Sequence, residues 1–190
     1  MRAAASKRGL TVAFAADSHL HADFLSGAYQ LGATSGAQVL ASAAGDREFT
    51  HTGLHDGDEV DLGGLRLRAL LTPGHTHEHL AFLLLDGDRE VGIFTGGSLI
   101  VGSAARTDLI SDDRTDELTR AQYASLHRLA ALPGDVQVWP TGTVKLVSWL
   151  VAAKIGGRDR CIVVVQGPPL PGRDHRPLRV AVSPVPAELS

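Results

Sequence analysis

Five of the nine histidines fall in two short runs: His19 and His21 in D-S-H-L-H-A-D-F, and His75, His77 and His79 in T-P-G-H-T-H-E-H. Neutral imidazole is the commonest metal ligand in proteins, and a metal site needs donors that converge on one point. His19 and His21 stand at i and i+2 and share a face of an extended segment, with Asp23 two residues further on, a spacing that suits chelation where a strand runs out into a loop. In the second run Pro73-Gly74 breaks a strand and leaves His75 at the start of a loop. Together His19, His21 and His75 would make the three-imidazole set of a catalytic zinc with one open water position, the alternative for His19 and His21 being a pair of solvated loop groups. Asp23 is the carboxylate that would orient that water or a ligand histidine. His77 and His79 read as surface groups or as supports behind the ligands.

The elements that must deliver these residues can be read from apolar periodicity. G-L-T-V-A-F-A-A-D-S is a short buried strand leading into His19. F-L-S-G-A-Y-Q-L-G-A-T-S-G reads as a helix with Gly36 past its end, and A-Q-V-L-A-S as a second strand. From Asp56 to Ile100, apolar and alternating runs are punctuated by Asp56-Gly57, Gly63-Gly64, Pro73-Gly74 and Asp86-Gly87, the pattern of successive antiparallel strands. D-E-L-T-R-A-Q-Y-A-S-L-H-R-L-A-A-L-P-G-D places Leu118, Tyr123, Leu126, Leu129 and Ala130 at helical spacing, and V-Q-V-W-P follows as a strand. T-V-K-L-V-S-W-L-V-A-A-K-I-G-G reads as a further helix, too short to span a bilayer. The last 24 residues hold six of the nine prolines and show no periodic face, the composition of an irregular tail.

Composition narrows the classes of function. The chain has 190 residues, 44% of them apolar, and a net charge of -3 with both signs interspersed, so it lacks the basic footprint of nucleic-acid binding. No segment has the length of a membrane helix. The apolar L-T-V-A-F-A-A after Arg2, Lys7 and Arg8 is read as a strand rather than a secretory signal. A single cysteine, Cys161, excludes an internal disulfide and a cysteine-based zinc cluster and fits a reducing compartment, so the expected location is cytoplasmic. F-T-G-G-S-L-I-V-G lacks the lysine and glycine spacing of a phosphate-binding loop, and G-D-R-E-F-T-H-T-G-L-H-D-G-D-E reads as a solvated loop.

S-H-L-H-A-D-F-L-S-G, T-P-G-H-T-H-E-H, F-T-G-G-S-L-I-V-G-S-A-A-R-T-D-L and V-W-P-T-G, in this order and at these intervals, resemble the metal-binding motifs of the metallo-β-lactamase superfamily. The likeness is to its persulfide dioxygenase and glyoxalase II-like branch and runs from about Ala3 to Gly142. It implies an α+β architecture, the αββα metallo-β-lactamase sandwich, with metals held in loops along one edge of the paired sheets. The superfamily's first motif, H-x-H-x-D-H, carries over as His19, His21 and Asp23, with Phe24 in place of the last histidine. The next ligand carries over as His75. Gly97 stands where the bridging aspartate follows F-T-G, and Gly142 where the final histidine follows P-T. Of the second metal's donors only Asp23 remains, so the resemblance implies one zinc or iron ion per chain at most. In the persulfide dioxygenase branch two histidines and an aspartate hold the iron; here His21, Asp23 or Glu78 would have to compensate for Gly97. Arg106 and Asp108 match a G-R-T-D segment expected to support the ligands.

The expected function is that of a divergent metallo-β-lactamase-fold protein with a partly lost metal site and weak or no turnover. The alternative is a mononuclear metal-dependent enzyme, a thioester hydrolase or persulfide dioxygenase acting on low-molecular-weight thiol derivatives. The expected domain plan is a metallo-β-lactamase-like domain over 1–142, a divergent segment over 143–166 and the Pro-rich tail over 167–190. Superfamily members carry roughly two or three strands ahead of the first histidine motif. Only Met1 to Gly9 precede that strand here, so the first sheet is expected to lack its N-terminal strands and to leave an edge open to self-association. No nucleic-acid or membrane partner is expected.

Overall fold

The computed structural model describes residues 2–20, 26–140, 149–155 and 158–165. His21, Asp23, Phe24, Gly142 and the Pro-rich tail lie outside them. In chain order the elements are α1 (Arg2–Ser6), β1 (Thr11–Asp17), α2 (Gly27–Ser35), β2 (Gln38–Ser42), β3 (Thr52–Leu54), β4 (Glu59–Asp61), β5 (Leu65–Leu71), β6 (Leu80–Asp86), β7 (Arg89–Phe94), α3 (Thr115–Ala130), β8 (Gln137–Trp139), β9 (Trp149–Ile155) and β10 (Arg158–Val165). One sheet runs β3-β2-β1-β10-β9 and the other β4-β5-β6-β7-β8.

Side-chain alternation along the central strands builds the layers. Leu80, Phe82 and Leu84 of β6 point into the core between the sheets, while Ala81 and Leu83 pack under Leu129 of α3. On β10, Ile162 and Val164 enter the same inter-sheet core, and Cys161 and Val163 face Ala28 and Leu31 of α2. Both strands are therefore apolar on both faces, as strands covered on two sides must be. Along β1, Phe14 and Ala16 face inward and Val12 and Ala15 outward; a register shift between Val12 and Phe14 accounts for the break in strict alternation. The result is α1 and α2, sheet, sheet, α3, the αββα sandwich implied by the resemblance. Complete burial of a side chain such as Phe82 or Leu84 contributes about 2 to 3 kcal/mol.

The segment read as a helix beyond residue 143 differs. Trp149–Ile155 is β9, paired antiparallel with β10 from Ile155↔Arg158 to Trp149↔Val164. Its β-branched and aromatic residues favour a pleated strand, and the hairpin gives both segments backbone partners that a short isolated helix would lack. This hairpin also changes the expected edge. No strand precedes β1 among the described residues, yet β1 is paired on both sides, parallel to β2 and parallel to β10 from Thr11↔Arg160 to Asp17↔Val165.

The helical face of α3 also differs from its reading. Leu118, Gln122, Ser125 and Leu129 are buried, whereas Tyr123 is 66% exposed and Ala130 is exposed. Residues four, three and four apart define one face, and two of its four members are polar because they bond to a turn beneath the helix.

Candidate metal centre

β1 ends at buried Asp17, and the chain leaves the sheet through Ser18 and His19, both buried. The turn from β5 to β6 is closed by Thr72 N–H donating to His79 O at 2.9 Å and Gly74 N–H donating to Thr76 O at 3.0 Å. A main-chain bond from Leu80 N to Ser18 O, 2.8 Å, ties the start of β6 to the end of β1 and so joins the two histidine runs across the sheets. The rings of His19 and His75 lie 4.9 Å apart, edge to face, and those of His19 and His79 lie 5.0 Å apart, stacked.

Hydrogen bonds assign the ring protons of two of these three histidines. His75 Nδ1 lies 2.8 Å from the Arg106 carbonyl, which can only accept, so Nδ1 carries a proton and, in the neutral ring, Nε2 keeps its lone pair. That is the tautomer a metal ligand needs, held by a main-chain carbonyl behind it. Arg106 thus holds the His75 ring through its backbone, while its guanidinium forks onto Asp108 with contacts of 2.6 and 2.8 Å. His79 is the opposite case. Gly97 N–H donates to its Nε2 at 2.9 Å, so the proton sits on Nδ1, which faces Thr72 Oγ1 at 2.8 Å and Ser98 Oγ at 3.1 Å. Both nitrogens of His79 are spent inside the protein, and it braces the turn after β7. This buried role corrects the alternative of a surface group, and His77 is the exposed member of the run. His19 Nδ1 lies 2.8 Å from Ser18 Oγ.

Two supports carry no sequence signal that apolar periodicity could reveal. Gln122, on α3, accepts from His75 N–H at 2.9 Å and donates through Nε2 to the Ser98 carbonyl. A buried charge cluster lies behind the first histidine run. Arg47 Nη1 is 3.1 Å from Asp17 Oδ2, Arg47 Nη2 is 3.9 Å from Glu78 Oε1, and Glu78 Oε1 accepts from Leu20 N–H. Burial pushes the Asp17 carboxyl up to about 6, against the attraction of Arg47 and the Ser26 hydroxyl and with a further push from Glu78. Glu78 is therefore engaged through Oε1 with Arg47 and the Leu20 amide.

Gly97 lies against His75, the histidine it was expected to complement. A Cβ at Gly97 would stand 2.6 Å from His75 Cδ2, and one at Gly96, where φ is +54°, would stand 2.5 Å from His79 Nε2. The donor chemistry of His75, beside His19, fits a metal on this edge. Among the described residues no three His, Cys, Asp or Glu side chains are arranged to hold an ion. The remaining expected donors, His21 and Asp23, fall outside them. A cleft of about 520 Å³ lined by Tyr29, Gln38, Phe49 and His51 shares no residue with the histidine cluster.

No family model matches the chain. A hydroxyacylglutathione hydrolase of Methylococcus capsulatus is 33% identical over 135 residues, covering 70% of this chain and 48% of that protein. A mitochondrial persulfide dioxygenase of Homo sapiens is 30% identical over 135 residues, covering 70% and 49%. Among solved structures, a metallo-β-lactamase from Staphylococcus aureus superposes with a TM-score of 0.67 at 30% identity, covering 73% of this chain and 44% of that one. The chain belongs to the metallo-β-lactamase superfamily. Its similarities lie in the hydroxyacylglutathione hydrolase and persulfide dioxygenase branch, and it spans about half the length of the curated relatives it matches. In superfamily terms the described structure places His19 and His75 together at the loop edge of the paired sheets and puts Gly97, the expected carboxylate position, in contact with His75.

Proposed function

We propose that this chain is a divergent metallo-β-lactamase-fold domain that holds at most one zinc or iron ion, on His19 and His75 with His21, and that turns over weakly or not at all. Gly97 carries this reading. The position that supplies a bridging carboxylate in the superfamily has no donor here, and the 2.6 Å separation of a built Cβ from His75 Cδ2 leaves no room for one while that ring keeps its place. The second metal's donor set is then reduced to Asp23.

A second reading, a mononuclear enzyme, is favoured by His75 itself, whose Nε2 lone pair is kept available by the Arg106 carbonyl. In that reading a bound zinc would supply hydroxide near neutral pH for thioester hydrolysis, and a bound iron would supply oxygen chemistry on a persulfide. Asp23 orients the attacking water or a ligand histidine. The substrate class, a small thiol derivative, rests on the names of the relatives, which act on hydroxyacylglutathione or persulfides. No helix among the described residues is long and apolar enough to cross a membrane. The cytoplasm is the proposed location, because the one cysteine is buried, with its thiol pushed up to about 11 by desolvation, and needs no oxidising compartment.

The test is elemental analysis of the purified chain together with two assays, hydrolysis of a hydroxyacylglutathione and oxygen uptake with glutathione persulfide. One equivalent or less with background rates supports the first reading. One equivalent with turnover on the order of 1 per second or faster supports the second. Two equivalents of metal would overturn both.

A further inference from the structure

We infer that Gln122 is a positioning residue for the proposed ligand His75, acting through a closed circuit of hydrogen bonds that begins and ends on that histidine. The inference rests on the metal-site reading above and adds to it the device that sets the ligand. The His75 main-chain N–H donates to Gln122 Oε1 at 2.9 Å, and Gln122 Nε2 donates to the Ser98 carbonyl. One residue back along the chain, the Gly97 carbonyl accepts from Ala105 N–H at 3.1 Å, and one residue beyond Ala105 the Arg106 carbonyl accepts from His75 Nδ1 at 2.8 Å. Four hydrogen bonds thus lock the backbone and the ring of one residue through two separate loops.

Gln122 is the one side chain in that circuit besides His75, and it is 5% exposed. A buried primary amide can accept and donate at once, which is what bridging an N–H to a carbonyl requires. Two glycines let the circuit close. At Gly74, where φ is +148°, a Cβ would fall 2.1 Å from Gln122 Oε1 and 2.6 Å from Gln122 Cα; at Gly97 a Cβ would press on the His75 ring. Helix α3 therefore approaches the turn as closely as backbone allows, and the approach serves a polar contact rather than an apolar one. Buried polar networks of this kind specify one arrangement because every alternative strands a donor or acceptor.

The test compares wild type with Gln122→Met, which keeps the volume and removes both bonds, and with Ser125→Ala, which removes a different bond from α3 to the same turn, Ser125 Oγ to Pro73 O at 2.7 Å. The first readout needs no metal: nitrogen NMR of the His75 ring in the metal-free protein. Wild type and Ser125→Ala should show one tautomer with the proton on Nδ1, and Gln122→Met should show mixed tautomers. The second is cobalt(II) titration, where Gln122→Met should lose about 10- to 100-fold in affinity with an altered visible band, and Ser125→Ala should stay within about twofold of wild type. Equal effects of the two variants would reduce Gln122 to a general helix anchor and overturn the inference, as would an unchanged His75 tautomer in Gln122→Met. A wild type that takes up no cobalt would count against the metal site alone, since the tautomer measurement still decides the role of Gln122.

Discussion

A methyl group on residue 97 would enter the space of His75, so Gly97 shapes the packing around that ring as well as standing at the expected carboxylate position. Gly97→Asp is therefore expected to bring no gain in metal affinity, because the carboxylate's own Cβ must displace the histidine with which it would share an ion. Gly97→Ala should show the same displacement at a stability cost of about 1 to 3 kcal/mol. Cobalt titration and urea unfolding check both, and a rise in occupancy in Gly97→Asp would show that His75 can swing aside and that only the ligand set has decayed. The histidines of the second run separate in the same way. Truncating buried His79 leaves the Gly97 amide without its acceptor and should cost about 3 kcal/mol, while exposed His77→Ala should stay within about 0.5 kcal/mol. Asp17 makes stability depend on pH. Its carboxyl titrates near 6 in the folded protein and near the ordinary 3.8 when unfolded, so between those values the folded state holds a proton that the unfolded state has released. Its contribution, about 3 kcal/mol, is fully present below pH 4 and lost as the pH rises through 6. Unfolding measured from pH 4 to 7 should show this fall, and Asp17→Asn should flatten it.

At the scale of elements, α3 is the part of the molecule that connects packing to the site. Its acidic first turn and basic last turn, Asp116 and Glu117 then His127 and Arg128, suit the helix dipole, and its extent is legible from those signals and from Pro133-Gly134. Its inner face was less legible, since Gln122 and Ser125 are polar and an apolar count assigns them to solvent. Tyr123, chosen by that count, stands outside against His127. Gly74→Ala tests the closeness of the helix to the turn. A Cβ inside the Gln122 side chain, on a backbone conformation that L residues avoid, should destabilise by at least about 3 kcal/mol and weaken cobalt binding with it. Calorimetry on the variant beside Ser125→Ala, expected to lose about 1 kcal/mol, checks the prediction.

For the whole molecule, the hairpin β9–β10 pairs the side of β1 opposite β2. β10 lies between β1 and β9, and its Ile162 and Val164 belong to the core shared by both sheets. A chain ended after residue 142 would uncover one edge of β1 and remove those side chains from the core. It is expected to lose its cooperative thermal transition and to associate through the bared edge, as read by calorimetry and light scattering. A monomeric truncation with a sharp transition would instead show that residues 1–142 fold alone.

From its residues and their order the sequence determined the chemistry on offer: imidazoles in two runs, glycine where a carboxylate is expected, the strand leading into His19, the meander from β4 to β7 and the resemblance that organises them. These are local properties, set by spacing, turn residues and side-chain type. Tertiary structure alone decided the rest, because each point depends on what meets a residue across the fold. His79 is a brace because Gly97 donates to it from another turn. Glu78 serves the Leu20 amide and Arg47 because the ends of β1 and β6 are tied together. The segment Trp149–Ile155 is a strand because β10 pairs with it, and β10 is held in place by β1, which lies more than a hundred residues earlier in the chain.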